Sequence, residues 1–222
     1  MKYNNTSGQD KARILIVDDH PIVREGMAQF LNFQGNLQAC CQASNASEAL
    51  AAMSVCHHAL AIVDLSLDGE SGLDLIKTLR RRYPKLAILT LSMHDESLFA
   101  ERTLRSGANG YLMKQEGTKS ILQAVQQVLA GRVYLSAAMQ NTLTQRLDAP
   151  QDDGHSLIAG LSAREFEVLH LIGLGFGTRQ IAEKLNRSVK TIEAHRANLK
   201  DKLQLASGTE LMSFAVRWLD SH

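Results

Sequence analysis

The chain has 222 residues, enough for one large domain or two small ones, with 45% hydrophobic and 21% charged residues, a balance that excludes a disordered chain. No apolar run approaches the length of a membrane span, and the polar N-terminus MKYNNTSGQDK lacks the apolar centre of a signal peptide. The net charge of +1 does not announce nucleic-acid binding, so any such contact must rest on a local patch, and three cysteines in 222 residues argue against a disulfide scaffold.

The first element is the strand RILIVDDH, Arg13 to His20, an apolar run ending in Asp18 and Asp19. Pro21 then opens a helix running to about Gln34, since proline suits the first helical turn. Leu37 to Gln42 is a second strand and Ala46 to Val55 a second helix. Cys40 and Cys41 are adjacent on that strand and cannot bridge easily, so with Cys56 they read as reduced thiols in a cytoplasmic protein. The third strand lies in ALAIVDLSLDGESG, Ala59 to Gly72, and ends at Asp64. Such unalternating apolar runs fit strands buried on both faces of a parallel sheet.

Gly72 starts a helix with Leu73, Ile76 and Leu79 inward, closing at Arg80, Arg81 and Arg82, read as a solvated end. Leu86 to Leu91 is strand four, Asp95 caps a helix ending near Gly107, Asn109 to Met113 is strand five, and Gly117 to Gly131 the fifth helix. This fivefold alternation predicts a doubly wound, five-stranded parallel sheet of the α/β class. In such sheets chemistry sits at the carboxyl ends of the strands. Asp18, Asp19 and Asp64 therefore share one cleft, where three carboxylates repel unless a cation joins them. All-oxygen ligation suits Mg²⁺, and an aspartate beside it can accept a phosphoryl group.

These residues resemble the receiver domain of two-component response regulators. The resemblance makes Asp64 the phospho-acceptor, and Asp18, Asp19, Asp64 and the Ser66 backbone carbonyl the ligands of Mg²⁺. Ser92 in LTLSMH matches the switch hydroxyl, Tyr111 the rotating aromatic and Lys114 in GYLMK the lysine that ends strand five, and the spacings from Asp64 to Ser92 and on to Lys114 fit the family. Thr90 lies on the same face as Ser92 and is its rival, with Ser92 nearer the strand's carboxyl end. Two positions depart from the family pattern: Asp68 and Gln115 stand where receivers usually have proline.

Residues 135–160 change character: a helical piece, Ser136 to Leu147, gives way to DAPQDDGHS, a partly flexible linker. From Leu161 the pattern is all-α, with four helices. Ser162 and Glu165 form a capping box, TRQIAEKL is a short helix, and Ser188 caps VKTIEAHRANLKDKL, a helix rich in polar and basic residues. A final helix spans Gly208 to Leu219. This region resembles the LuxR/NarL-type helix-turn-helix domain through Leu161, Arg164, Glu165, Val168, Leu169, Gly175, Ile181, Ala182, Leu185, Ser188, Thr191, Ile192, His195, Leu199, Lys202, Leu203, Glu210 and Leu211. On a helical wheel Ile192, His195, Leu199 and Leu203 share the inner face, with His195 read as a packing residue that donates a hydrogen bond. The resemblance puts Glu193, Ala194 and Ala197 near base edges of double-stranded promoter DNA. Arg179, Lys190, Arg196 and Lys200 are the phosphate contacts, Thr191 adds a hydroxyl, and Asn198 flanks this face.

The domain boundaries that follow are a receiver over 11–134, a linker over 135–160 and a DNA-binding domain over 161–222. The function implied is that of a DNA-binding transcriptional response regulator of the NarL/FixJ class. Its expected partners are a sensor histidine kinase, promoter DNA, a second copy of the chain once phosphorylated, and RNA polymerase. The alternatives are a regulator that binds DNA without phosphorylation and a Mg²⁺-dependent aspartyl-phosphate phosphotransferase; the second has no use for a helix-turn-helix.

Overall fold

The structure is a computed structural model that describes residues 11–67, 70–146, 158 and 160–220, with the side chains of Glu70 and residues 142–146 left aside. The N-terminal tail, Asp68 and the DAPQDDGHS stretch lie outside the described residues. The chain divides into two compact units, residues 1–143 and 144–222. Among the described residues no helix is long and apolar enough to cross a membrane.

The first unit alternates β1 (Ala12–Val17), α1 (Pro21–Asn32), β2 (Leu37–Ala43), α2 (Ala46–Val55), β3 (Leu60–Val63), α3 (Gly72–Arg82), β4 (Ala87–Ser92), α4 (Glu96–Arg105), β5 (Gly110–Met113) and α5 (Thr118–Leu129), followed by α6 (Ala137–Arg146). The strands form one parallel sheet in the order β2-β1-β3-β4-β5. A two-residue antiparallel pair, Ser66–Leu67 with Glu70–Ser71, stands between β3 and α3. On one sheet face Ile14, Ile16, Leu60, Ile62, Leu89, Leu91 and Leu112 meet Met27 and Leu31 of α1 and Ile121, Val125 and Val128 of α5. Burial on both faces is what removes polar alternation from β1 and β3, all of whose inner residues are apolar. The order reverses between β1 and β3, which makes the carboxyl ends of those two strands the topological switch point.

One reading of the sequence needs correction. Arg80 is not part of a solvated helix end. Its guanidinium donates to the Gly107 carbonyl at 2.8 Å, the Pro84 carbonyl at 2.6 Å and Asn109 Oδ1 at 2.6 Å, while Arg81 and Arg82 are exposed. Arg80 thus ties the end of α3 to the loop that leads into β5, and burial lowers its pKa. On β2, Cys40 and Cys41 are both free and do not follow a regular alternation. The register shifts between Ile14 and Leu15, which pair with Ala39 and Cys41, so Cys40 is the extra residue of a β-bulge.

The second unit holds α7 (Ala163–Gly173), α8 (Thr178–Lys184), α9 (Val189–Leu203) and α10 (Gly208–Asp220). Ser162 and Glu165 make the capping box read in the sequence, and Ser188 caps α9 through the Thr191 amide. Val168, Leu169, Ile172, Ile181, Ile192, Leu199, Leu211 and Ala215 are buried. A Cβ on Gly173 would lie 2.7 Å from the Ala215 carbonyl, so α7 and α10 cross at a distance only glycine allows. Asn186 at φ 50° makes the left-handed turn between α8 and α9.

The carboxylate of Glu165 is buried, yet Lys202 Nζ reaches it at 2.7 Å and the Ser162 amide at 2.8 Å. Burial pushes Glu165 up; Lys202 and Ser162 outweigh this and hold it below the usual carboxylate range. A carboxylate depressed by folding adds stability above its unfolded pKa and loses it as the pH falls through the folded value. Lys202→Met is therefore expected to cost about 1 kcal/mol at neutral pH, a modest figure because Lys202 is half exposed, and to flatten the acid loss. Trp218, the one tryptophan of the chain, lies in α10 and reports this unit by fluorescence during denaturant titrations. An acid loss equally steep in wild type and variant would contradict the role given to Lys202.

Candidate functional site

Two regions carry the residues singled out by the sequence, one in each unit. The first lies at the switch point. Asp18 follows β1 and Asp64 follows β3, each fixed by a backbone bond to its neighbouring strand: the Asp18 amide donates to the Ala43 carbonyl at 3.1 Å and the Asp64 amide to the Val17 carbonyl at 2.9 Å. Their exposures are 3% and 4%. Lys114, just past β5, places Nζ 2.6 Å from Asp18 Oδ2 and 2.7 Å from Asp64 Oδ2. Two buried carboxylates are tolerated here because one ammonium faces both. Burial raises the Asp64 pKa, and the Lys114 charge offsets only part of that rise. For Lys114, burial works the other way, and Asp64 and Asp18 overcome it to raise its pKa.

Asp18, Asp19, His20 and Asp64 can bring one ligand atom each to within 4.8 Å of one another. The three carboxylates make an oxygen-rich set of the kind Mg²⁺ takes. Asp19 Oδ1 is buried without a well-formed hydrogen bond, although His20 Nδ1 lies 2.6 Å away. These residues fit a hard divalent cation. The Ser66 amide donates to Asp64 Oδ1 at 3.2 Å.

Gly72, the first residue of α3, closes the site from below. A Cβ there would sit 2.1 Å from the Asp64 carbonyl oxygen and 2.6 Å from Leu65 Cα. No side chain fits, so the start of α3 presses directly on the peptide that carries Asp64.

Ser92, at the end of β4, is fully buried and its Oγ accepts from the His94 amide at 3.2 Å. Thr90 is equally buried, and its Oγ1 has no hydrogen-bond partner among the described residues. Tyr111 is 0% exposed and donates from its hydroxyl to the His94 carbonyl at 2.8 Å; burial raises its phenol pKa. The ring is thus already inside. The sequence reading missed His94. Its ring stacks on Phe99 with centroids 4.6 Å apart and meets Ser66 Oγ through Nε2 at 2.7 Å, joining the loop after β3 to the loop after β4. Its place two residues after Ser92 was the available signal, as adjacency to Asp19 was for His20.

The second region is α9. Lys190, Glu193, Ala194, Ala197 and Asn198 are exposed, Thr191, Arg196 and Lys200 half-buried, and Arg179 on α8 exposed. Ile192, Leu199 and Leu203 form the buried face, as the wheel implied. Glu193, Arg196, Ala197 and Lys200 line a shallow pocket with Gly208 and Leu211 of α10, so this flank of α9 adjoins α10. His195 is half-buried with its pKa lowered by burial, in line with packing, but it makes none of the hydrogen bonds expected of it among the described residues. Exposed Arg187, in the turn before α9, adds a cation that the sequence reading passed over.

Comparison with known proteins joins both regions. The family model of the response regulator receiver domain matches residues 14–126, and that of bacterial regulatory proteins, luxR family, matches residues 159–215. The chain is similar to the oxygen regulatory protein NreC of Staphylococcus haemolyticus, 35% identical over 213 residues covering 92% of this chain and 97% of that protein. NreC of Staphylococcus carnosus is 36% identical over 210 residues, with the same coverage. Among solved structures, RcsB from Salmonella enterica serovar Typhimurium bound to promoter rprA in the presence of phosphomimetic BeF3⁻ aligns with a TM-score of 0.55 and 26% identity, covering 93% of this chain and 99% of that one. A structure of two RcsB dimers bound to two parallel DNAs aligns with a TM-score of 0.57 and 25% identity, covering 92% and 98%.

Proposed function

The chain belongs to the response regulators that join a receiver domain to a LuxR-type DNA-binding domain, and from that premise we propose that phosphorylation of Asp64 controls its binding to promoter DNA. It is a transcription regulator rather than an enzyme, so the phosphotransferase alternative falls away. On this reading residues 11–134 are the receiver, 135–160 the linker and 161–222 the DNA-binding domain.

The observation that carries the proposal is Asp64 itself, 4% exposed at the end of β3 and held at 2.7 Å by Lys114 beside Asp18. Asp64 attacks the phosphorus of a phosphohistidine on a sensor kinase, or of a small acyl phosphate. The bond from phosphorus to the donor breaks as the acyl phosphate forms on the carboxylate. Asp18, Asp19, Asp64 and the Ser66 carbonyl would hold Mg²⁺, which when bound neutralises charge on the phosphoryl oxygens. Lys114 already faces the carboxylate and offsets charge from the opposite strand.

The Ser92 hydroxyl donates to the phosphoryl group and so changes its bond to the His94 amide. Tyr111 holds the carbonyl of that same His94, so a shift at Ser92 passes to the β5 aromatic through one residue. The affected surfaces pair two chains, as the RcsB dimers on DNA suggest, and pairing on adjacent half-sites raises effective concentration without new contacts. Driving the switch nearly to completion requires a bias of roughly 5.5 kcal/mol towards the active state.

With acetyl phosphate and Mg²⁺, intact mass is expected to show one phosphoryl adduct on the wild type and none on Asp64→Asn. Sedimentation and DNA binding of the phosphorylated protein are expected to show tighter self-association and tighter operator binding. Equal adducts on both proteins would remove Asp64 as the acceptor. An adduct without any change in association or DNA affinity would leave a regulator that binds DNA independently of phosphorylation.

A further inference from the structure

All three cysteines of the chain gather near the middle of β2, where Cys40 and Cys41 stand on the strand and Cys56 neighbours them. The bulge at Cys40 is the cause. In a regular strand Cys40 and Cys41 would point to opposite faces, whereas the extra residue lets both thiols turn to the same side. Cys40, Cys41 and His58 bring their ligand atoms within 4.8 Å of one another. Cys56, the C-cap of α2, is a neighbour of the Cys41 thiol.

We propose that Cys40, Cys41, Cys56 and His58 form a binding site for a thiophilic divalent cation of the Zn²⁺ type, tying β2 to the loop between α2 and β3. Three thiolates and one imidazole are a complete tetrahedral set for Zn²⁺. With Zn–S bonds of about 2.3 Å, neighbouring ligand atoms in a tetrahedron lie roughly 3.8 Å apart, a small contraction for Cys40, Cys41 and His58, whose ligand atoms already lie within 4.8 Å of one another. Soft ligands of this kind separate the site from the oxygen-rich pocket at Asp64, which suits a hard cation.

The surroundings support this. Both ring nitrogens of His58 are buried and neither makes a well-formed hydrogen bond, although the Cys56 backbone lies nearby. A neutral imidazole with an unpartnered ring nitrogen is the form that ligates metal. Arg13 Nε donates to Cys40 Sγ at 3.5 Å, and Cys40 Sγ reaches the Ile14 carbonyl at 3.7 Å. A site of three thiolates and Zn²⁺ carries a net negative charge, which the Arg13 guanidinium offsets from outside the ligand set. Thiolate ligation of a metal releases the thiol protons, so affinity rises with pH.

The test uses the full-length protein kept reduced with a phosphine, with Co²⁺ as the spectroscopic probe. The expected result is one equivalent of Co²⁺ with a thiolate-to-cobalt charge-transfer band and strong tetrahedral visible absorption, unchanged in Asp64→Asn. Cys41→Ser and His58→Gln are expected to weaken binding by more than about 100-fold, beyond what loss of an outer-shell partner costs. Zn²⁺ should bleach the cobalt spectrum and protect the three thiols from a thiol reagent. Absence of the charge-transfer band, a band indifferent to both substitutions, or thiols equally reactive with and without Zn²⁺ would overturn the proposal. If circular dichroism shows that a variant has not folded, the thiol-protection result on the wild type decides.

Discussion

Lys114→Met is expected to destabilise the receiver by about 3 kcal/mol at neutral pH, the low end for breaking a buried ion pair, and to uncouple DNA binding from phosphorylation. The loss stays at the low end because Asp64, already raised by burial, can take up a proton once the ammonium has gone. The same logic fixes the pH dependence. Lys114 is raised above its ordinary value by Asp64 and Asp18, so its contribution is complete below the lysine range and is lost as pH rises through the folded value. Asp64 has the opposite character for a carboxylate: its folded pKa is raised, so its ionisation costs stability as pH rises through the folded value, and more so without Lys114. The difference between wild type and variant should therefore be widest between the carboxylate and lysine ranges and should narrow on the acid side. Urea titrations followed by circular dichroism at several pH values measure it. An unchanged midpoint at neutral pH would mean that the two ion pairs contribute nothing net.

Lys190→Ala and Glu193→Ala are expected to weaken operator binding in different ways. Lys190 is exposed at the start of α9. As a phosphate contact its loss should lower affinity for all sequences and reduce the slope of log affinity against log salt by about 1 per monomer. Glu193 is exposed one turn further on, on the flank shared with Arg196 and Lys200. As an acceptor for a cytosine amino group its loss should relax preference at one base position by about 1–3 kcal/mol and leave the salt slope nearly unchanged. Binding titrations against an operator and its single-base variants, over a range of salt, separate the two. A uniform loss for both substitutions would remove Glu193 as a base reader.

How far the sequence could be read depended on the kind of signal each residue leaves. The strands ending in Asp18 and Asp64 were visible because burial on both faces suppresses alternation, and an acid that breaks an apolar run stands out. The capping box at Ser162 and the buried face of α9 were visible because caps and helical periods are local. Contacts made across long separations left no such trace. Arg80 looked like an ordinary cation at a helix end, and only the fold brings it to Gly107 and Asn109. Gly72 read as a helix start, and its closeness to the Asp64 carbonyl follows from the path of the intervening loop. The bulge at Cys40 shifts a seven-residue strand by one position, too short a run for a change of period to show.

That bulge also bears on how the edge of the sheet resists strand addition. β2 lies at the edge of the sheet, paired only with β1 among the described residues. A straight edge strand offers a row of unpaired backbone groups onto which another chain can add, the first step towards aggregation. The extra residue at Cys40 interrupts the edge midway, and the exposed polar residues Gln38 and Gln42 stand on either side of it. Bulges and polar side chains are among the features by which natural sheets discourage such strand addition. Removing Cys40 altogether would restore a regular edge while leaving Cys41, Gln42 and Ala43 paired with β1 as they are. The irregularity that gathers the thiols thus also guards an open side of the sheet against unwanted pairing.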